Sequence, residues 1–297
     1  MRFPKTLREV EISRVGHRLY GRNRRGRAVK IGCISATLSL VTCGGEAFGP
    51  VDPGNDPNFT IVAHSDDGFG PTNRKVEVFS IPIYAYPDVE DVKLLHAANI
   101  MAQYLDNDED GMVDNPEVLD ALTSENAALY MWKRESQQGS LEAQDLGADE
   151  SLPQWHESGQ SGRFDAALEE VWHVITHSGF ARAYPEVFGE EIGTSLANAM
   201  DIARGGRFLS VPDVYPEAAW YSYDDQTCDY SCMATEYIYW AMTSILGGQR
   251  NRAGEIQHEW KLNSRAKVQE TDVAIYGLLT DPVYSFPDVL PDGTYRR

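Results

Sequence analysis

Oxygen-bearing side chains recur at a fixed spacing between residues 106 and 117. This segment reads DNDEDGMVDNPE, and its first, third, fifth, ninth and twelfth positions hold Asp106, Asp108, Asp110, Asp114 and Glu117. Gly111 occupies the sixth position, where a sharp turn is easiest for glycine, and Met112 follows with its backbone carbonyl. Ca²⁺ binds about six to eight oxygens at about 2.3–2.6 Å, and this arrangement supplies them. The sequence therefore predicts a calcium site.

The loop and its two flanking segments resemble the EF-hand family. An amphipathic helix leads into the loop through Leu105, and Pro116 suits the first turn of a helix that leaves it. The resemblance implies a helix–loop–helix site in which Glu117 binds the ion with both oxygens. EF-hands usually occur in pairs and the sequence shows no second loop, so we expect a structural clamp rather than a switch. Because clustered carboxylates repel one another, loss of calcium should loosen this region.

A second group of metal-ligand residue types lies in the segment EEVWHVITH, residues 169–177. His173 and His177 are four residues apart, so on a helix they share one face and can bind one transition metal, most often Zn²⁺. Glu169 and Glu170 can project towards the same side. A further ligand has to come from elsewhere, and Glu236 is the best candidate because it is charged within the apolar segment MATEYIYWAMTSIL. The alternatives for this further ligand are Asp201 and Asp225.

Residues 164–246 resemble the gluzincin metallopeptidases, in which two histidines on one helix and a Glu on a later helix hold zinc. The resemblance implies that the two histidines and Glu236 are zinc ligands, that the fold is zincin-like and that the substrate is a protein or peptide. In that family a Glu directly after the first His is the general base, whereas this chain has Val174 there. Glu170 could take over as the catalytic base, or it could be a fourth ligand that closes the site.

Two alternatives to this interpretation stay open. Two Glu-x-x-His segments, residues 170–173 and 255–258, have the pattern from which ferritin-like bundles build a di-iron site, although four long helices are not evident. The histidine pair could equally belong to polar core or surface. The protein would then be a non-catalytic surface or binding protein whose fold is stabilised by calcium.

Charge is distributed unevenly along the chain. Residues 1–43 hold ten Lys/Arg and two Asp/Glu, a balance of +8, so with a total of −19 the rest of the chain carries −27. An acidic body argues against a nucleic-acid partner and suits cation binding. Basic residues followed by the apolar run 31–41 predict an export signal, because the run is too short to span a bilayer as a helix.

The cysteines fit an exported protein. The sequence LVTC, which ends at Cys43, resembles a bacterial lipobox, although Thr42 replaces the usual Gly or Ala. The resemblance implies a cell-envelope lipoprotein that touches the membrane only through its lipid anchor. A secreted protein is the alternative. In an oxidising compartment Cys228 and Cys232 are expected to form a small disulfide loop, with reduced metal-ligand cysteines as the alternative.

The elements that must position these residues follow from hydrophobic periodicity. Residues 75–84 alternate and are predicted as one strand, whereas residues 164–179 and 233–246 show helical spacing. Polar residues 134–163 predict a surface excursion. We therefore expect a helix-rich α+β fold with a minor sheet and one embedded EF-hand-type loop. The expected organisation is an export signal (1–43), a linker (44–73) and a single metal-binding domain (74–297).

Overall fold

The computed structural model describes residues 56–296, in which helices surround a small five-stranded sheet. The strands are β1 (Val62–Ala63), β2 (Arg74–Val78), β3 (Ile81–Ala85), β4 (Leu129–Trp132) and β5 (Gln144–Gly147). They lie side by side in chain order. β1, β2 and β3 are antiparallel, and β4 and β5 extend the sheet parallel to β3.

Residues 75–84, which the sequence predicts as one strand, belong to a hairpin. β2 and β3 pair with Val78 opposite Ile81, and the two residues between them, Phe79 and Ser80, have φ of 47° and 72°. Positive φ at both positions gives the tight turn whose twist matches that of the paired strands. Apolar residues on both sides of the turn are buried, so burial selects a turn conformation that these two residue types rarely adopt.

Helices make up most of the ordered structure outside the sheet. They are α1 (Asp91–Leu105), α2 (Pro116–Ser124), α3 (Pro153–Glu157), α4 (Ala167–Val174), α5 (Ala181–Ala183), α6 (Pro185–Phe188), α7 (Ser195–Ala203), α8 (Tyr230–Ile245), α9 (Ala253–Ile256), α10 (Arg265–Thr271) and α11 (Val273–Leu279). A π-helical turn, Ile175–Phe180, continues α4, and short 3₁₀ turns lie at Glu135–Gln137 and Pro282–Tyr284. The prediction of a helix-rich α+β fold with a minor sheet is confirmed.

α8 is the central helix of the core. The side chain of Asp229 caps its N-terminus, and every residue of α8 except Ser231 is buried. α4 contacts both α1 and α8, so the segment that carries His173 is held from two sides. Glu236 faces His173 across the α4–α8 contact. A charged group at this depth is costly unless it is paired.

The boundaries of the domain differ from those read off the sequence. β1 and the buried Phe59 and Ile61 lie within the segment expected as a linker. Residues 134–163, expected as a surface excursion, contribute β5 and the buried Trp155 of α3. The expected signal segment, with Cys43, lies outside the described residues. Between residues 56 and 296 no helix is long and apolar enough to cross a membrane.

The C-terminal tail, residues 286–296, folds back along α1 and the loop that follows it. The tail is bound by side-chain oxygens of three residues spaced four apart in the sequence, Asn99, Gln103 and Asn107. These oxygens accept hydrogen bonds from the backbone N–H groups of Tyr295 (3.1 Å), Gly293 (2.8 Å) and Val289 (2.9 Å). Side chains at this spacing line one helix face, so the tail is fixed beside the predicted calcium loop.

Candidate functional site

The predicted calcium loop connects α1 to α2 and folds around its own carboxylates. Asp106 is fully buried, and its two oxygens accept hydrogen bonds from the backbone N–H groups of Asp110 (3.1 Å) and Gly111 (2.8 Å). Gly111 has φ of 92°, so the sixth position makes the turn that the spacing requires. Asp114 accepts a hydrogen bond from the backbone N–H of Asn107 (2.8 Å). The loop is therefore closed from one end to the other.

Three of the predicted calcium ligands face one another. Oxygens of Asp106, Asp108 and Asp114 lie within 4.8 Å of one another. Because Ca–O distances are about 2.3–2.6 Å, oxygens on opposite sides of one Ca²⁺ are about 4.8 Å apart, so this arrangement fits the ion. Burial raises the pKa of Asp114, and the neighbouring carboxylates raise it further. A bound cation would relieve this repulsion.

The other predicted ligands continue the loop. Met112, at the seventh position, is 68% exposed, and its backbone N–H donates to the side chain of Asp110 (2.8 Å). Glu117 lies in the first turn of α2, where its carboxylate interacts with the hydroxyl of Tyr184. Asp110 and Glu117 are therefore not part of the group formed by Asp106, Asp108 and Asp114.

The C-terminal tail covers one side of the loop. The hydroxyl of Tyr295 donates a hydrogen bond to Asp106, the first loop position. The backbone N–H of Arg296 donates to Glu109 (3.2 Å). A loop without a paired loop needs another neighbour to fix its shape, and the tail fills this role.

A second cluster of ligand-type atoms lies between α4 and α8. Nε2 of His173 is 3.6 Å from Oε2 of Glu236, and Nδ1 of His173 is 3.6 Å from Oε2 of Glu170. Glu169, one helical turn before His173, joins the cluster from α4. One ligand atom each from Glu169, His173 and Glu236 lie within 4.8 Å of one another. The structure therefore brings together two of the three residues predicted as zinc ligands and adds Glu169.

Two members of this cluster are deeply buried, since His173 and Glu236 are each 1% exposed, whereas Glu169 is partly exposed. Burial raises the pKa of Glu236, although the charge of His173 acts in the opposite direction. The hydroxyl of Tyr223 donates to Oε1 of Glu236 (3.1 Å). The ring of Tyr239 packs edge-on against His173, with 5.6 Å between the ring centroids. Both ligand-type side chains are thereby held in place.

The separations within the cluster suit a bound zinc ion. An N–H···O hydrogen bond is about 2.7–3.2 Å long, so the 3.6 Å between His173 and Glu236 exceeds it. Two ligand atoms that each lie about 2.0–2.1 Å from a tetrahedral Zn²⁺ are about 3.3 Å apart. Imidazole nitrogen and carboxylate oxygen are both ligand types that Zn²⁺ accepts. The residues present therefore fit the ion.

His177 does not join this cluster. It lies on the π-helical turn after α4, whose wider turn rotates it away from the position that a continuous α-helix would give it relative to His173. Its Nδ1 is 2.7 Å from Glu190, which also accepts hydrogen bonds from the hydroxyls of Ser231 (2.7 Å) and Thr235 (2.5 Å). The hydrogen bond to Glu190 raises the pKa of His177. Burial acts to raise the pKa of Glu190, but its hydrogen-bond donors lower it overall.

A cleft of about 780 Å³ opens beside His173 and His177. Glu170, predicted as the catalytic base, is 3% exposed and accepts a 2.6 Å hydrogen bond from the side chain of Gln144 on β5. Gln144 lines the cleft, so Glu170 lies one side chain behind the cleft wall. The candidate metal site and the candidate substrate site are therefore neighbours.

The other candidate ligands are engaged elsewhere. Asp201 forms ion pairs with two arginines of the turn that follows α7. Asp225 accepts a hydrogen bond from the backbone of Thr227 (2.9 Å). His258 belongs to a separate, largely exposed group, so the described residues do not bring the two Glu-x-x-His segments into one site. Cys228 and Cys232 form the predicted disulfide at the start of α8.

Two residues that shape these sites carried little signal in the sequence. Glu169 was visible as a carboxylate four residues before His173, a spacing that places both on one helix face. By spacing alone the adjacent Glu170 is an equally good candidate. Only the position of α8 shows that Glu169 is the one that joins His173 and Glu236. Glu190 lies 13 residues after His177 in a turn-rich segment and has no local pattern that marks it.

No family model, no curated protein and no solved structure matches this chain. The EF-hand and gluzincin resemblances therefore rest on their motif residues alone.

Proposed function

We propose that this chain is a calcium-stabilised, zinc-dependent hydrolase that cleaves peptide bonds in its cleft. The observation that carries the proposal is the meeting of Glu169, His173 and Glu236 at the α4–α8 contact, beside a cleft with room for a peptide. Two of the three ligands are carboxylates, so their charges balance those of a divalent ion. This balance makes a buried ion acceptable, because a buried charge must be paired.

Within this proposal the chain's own side chains would move the proton, while a bound zinc ion would supply a Lewis acid. His177 lines the cleft and its Nδ1 is held by Glu190, which leaves Nε2 to take a proton from the attacking water and to return it to the amine as the peptide C–N bond breaks. Glu170 is held by Gln144 and faces Nδ1 of His173. We therefore propose that Glu170 holds the ring of His173 in position, and that it is not the catalytic base expected from the sequence.

The charge of the cleft favours cationic peptides. Six of the residues that line it are Asp or Glu, and Arg182 is the one Lys or Arg among the described residues there. Unlike charges about 4 Å apart attract by about 4 kcal/mol at an effective dielectric constant near 20. A Lys or Arg side chain close to the cleaved bond should therefore strengthen substrate binding.

The proposal also places the protein outside the cytoplasm. The basic and apolar segments of residues 1–43 suit an export signal. The disulfide between Cys228 and Cys232 suits an oxidising compartment. Lipidation at Cys43 would hold the protein at the cell envelope, and cleavage without lipidation would release it.

One observation favours a second candidate function, a non-catalytic metalloprotein. Among the described residues that line the cleft, His173 is present whereas Glu169 and Glu236 are not. A metal held by buried ligands, with no position open to substrate, stabilises a fold without turnover. Calcium and zinc would then both be structural, and the cleft would bind a cationic partner without cleaving it.

Elemental analysis of the purified full chain tests the metal site that both candidates share. Glu236→Gln keeps the shape of the side chain and should lower the zinc content by one ion per chain while calcium is retained. Glu117→Gln removes the carboxylate expected to bind calcium with both oxygens, so it should lower the calcium content by one ion per chain while zinc is retained. The matched control is His258→Gln, because this side chain is 63% exposed and outside the cluster. If Glu236→Gln and the wild type contain equal amounts of zinc, the site proposed here does not bind it.

Turnover separates the two candidates. An unstructured protein substrate rich in Lys and Arg should be cleaved faster than one rich in Asp and Glu. His177→Gln should abolish cleavage with zinc retained, whereas Glu170→Gln should lower it by weakening zinc binding. A zinc-loaded wild type that cleaves neither substrate would support the non-catalytic candidate.

A further inference from the structure

Two histidines and an aspartate converge at a third place, separate in space from both sites described above. His96 comes from α1, His156 from α3 and Asp165 from the turn before α4. Nε2 of His96 is 2.7 Å and Nε2 of His156 is 2.8 Å from the same carboxylate oxygen, Oδ2 of Asp165. Three separate chain segments thus meet at one oxygen atom.

The carboxylate of this cluster is fixed in advance. Asp165 is 0% exposed, and its Oδ1 accepts hydrogen bonds from the backbone N–H groups of Leu152 (2.7 Å) and Ala167 (3.2 Å). These two bonds leave Oδ2 for the imidazoles. The side chains of His96 and His156 are 4% and 9% exposed, so the cluster is largely shielded from water. A carboxylate at this depth requires positive charge or strong donors close by.

The two rings are also held so that their Nε2 atoms face inward. A Cβ at Gly293 of the C-terminal tail would lie 2.2 Å from Nδ1 and 2.3 Å from Cε1 of His96, so the tail backbone covers that edge of the ring. Trp155 packs edge-on against His156, with 4.9 Å between the ring centroids. The centroids of the two imidazole rings are 5.5 Å apart, and the ring planes are inclined by 60°. Each ring therefore has one nitrogen directed at Asp165.

This arrangement has the donor set of a transition-metal site. Two imidazoles and one carboxylate are the protein ligands of many zinc and non-haem iron sites, which leave further positions for water. Ligand atoms about 2.0–2.1 Å from a tetrahedral ion are about 3.3 Å apart, so the three side chains need to separate by about 0.5 Å to admit one. A single divalent cation would then take the place of the two imidazole N–H groups that now donate hydrogen bonds to Oδ2.

We propose that His96, His156 and Asp165 form a second site for a divalent transition-metal ion, independent of the ion at Glu169, His173 and Glu236. The site ties α1, α3 and the start of α4 together. Because Gly293 packs on His96, it also anchors the C-terminal tail. The ion is a fold-stabilising metal, since the cluster is buried and does not line the cleft described above.

Zinc titration of the metal-free full chain, with excess Ca²⁺ to occupy the loop, tests this proposal. His156→Gln and Asp165→Asn should each weaken one zinc site by more than about 100-fold, because even the partners of ligands contribute about 10–100-fold. Glu236→Gln should leave that site unchanged. Loss of zinc in Glu236→Gln alone would overturn the second site, whereas loss in His156→Gln alone would overturn the proposed catalytic site and retain this one.

X-ray absorption at the zinc edge provides a readout that does not depend on the folding of these variants. In zinc-loaded Glu236→Gln, which keeps His96 and His156, the spectrum should show two imidazole ligands per zinc ion. The site at His173 has one histidine and cannot give this result. A zinc ion with one imidazole, or no bound zinc, would show that His96, His156 and Asp165 are only a hydrogen-bonded cluster.

Discussion

Removing one hydroxyl from the C-terminal tail should destabilise the calcium loop, because Tyr295 donates a hydrogen bond to the buried Asp106. Tyr295→Phe keeps the aromatic ring, which stacks on Phe59 with 6.0 Å between the ring centroids. The substitution therefore removes a hydrogen bond and almost no apolar contact. The carboxylate it leaves behind is in the interior and cannot recover the bond from bulk water.

The size of the effect follows from the charge of the acceptor. Hydrogen bonds to charged groups contribute about 1.5–3 kcal/mol, against about 0.5–1.5 kcal/mol for neutral pairs. The matched control is Tyr86→Phe, since Tyr86 is also buried but its hydroxyl pairs with the neutral hydroxyl of Ser140 (2.8 Å). We expect Tyr295→Phe to lower the free energy of unfolding by about 1 kcal/mol more than the control does.

Urea denaturation followed by tryptophan fluorescence measures both free energies, in EGTA and in saturating calcium. Calcium should raise the stability of the wild type and of both variants, because it binds the folded loop. Equal losses for Tyr295→Phe and Tyr86→Phe would refute the reasoning. The hydroxyl of Tyr295 would then contribute no more than an ordinary neutral pair, and the tail would only lie beside the loop.

Three further predictions concern the rest of the fold. Reduction of the disulfide at the start of α8 should lower the free energy of unfolding by about 2 kcal/mol, because it closes a short loop, and denaturation with and without reductant checks this. Gly179→Ala should destabilise by about 1–3 kcal/mol, since its Cβ would lie 2.8 Å from a side-chain carbon of α2. Gly277→Ala is its control, with no atom within 4 Å, and equal melting temperatures for the two would count against this packing argument. Glu190→Gln should lose most stability relative to the wild type between pH 4.5 and 6.5, as measured by urea denaturation across pH. Glu190 has a lowered pKa, so its contribution to the free energy of unfolding disappears as the pH falls below that window. His177 has a raised pKa, so its contribution disappears as the pH rises above the window. A stability difference that does not change with pH would show that the pair is not ionised.

The shape of the predicted calcium loop could be read from the sequence because all its candidate ligands lie within one short segment. The turn at Gly111 and the convergence of Asp106, Asp108 and Asp114 depend on local spacing, which the sequence displays directly. The helix that carries Glu236 was predictable for a similar reason, since its apolar pattern marks it as core. A charged residue in such a helix has to face a partner, and His173 is that partner.

The position of His177 could not be predicted in the same way. Four-residue spacing places two side chains together only if the helix stays regular, and the π-helical turn after α4 changes that relation. Its partner Glu190 and the packing of Gly179 against α2 both depend on distant segments. The hairpin turn at Phe79 was missed because neither turn residue is a glycine or asparagine.

The convergence of His96 with Asp165 shows the same limitation on a larger scale. The two residues are 69 positions apart, and neither lies in a recognisable motif. Single histidines on helices are usually part of the core or the surface, so nothing in the sequence links them. Only the packing of α1 against α4 makes them neighbours.

The tail that covers the calcium loop also imposes an order of events on biosynthesis. Asn107 and Val289 are 182 residues apart, and Asp106 and Tyr295 are 189 residues apart. The loop therefore leaves the ribosome, or crosses a membrane, long before the residues that enclose it. During that interval its carboxylates are open and mutually repelling, and contacts between such distant residues form slowly. Export would deliver this open loop into a calcium-rich environment, and the later-made residues would then close over an ion that is already bound.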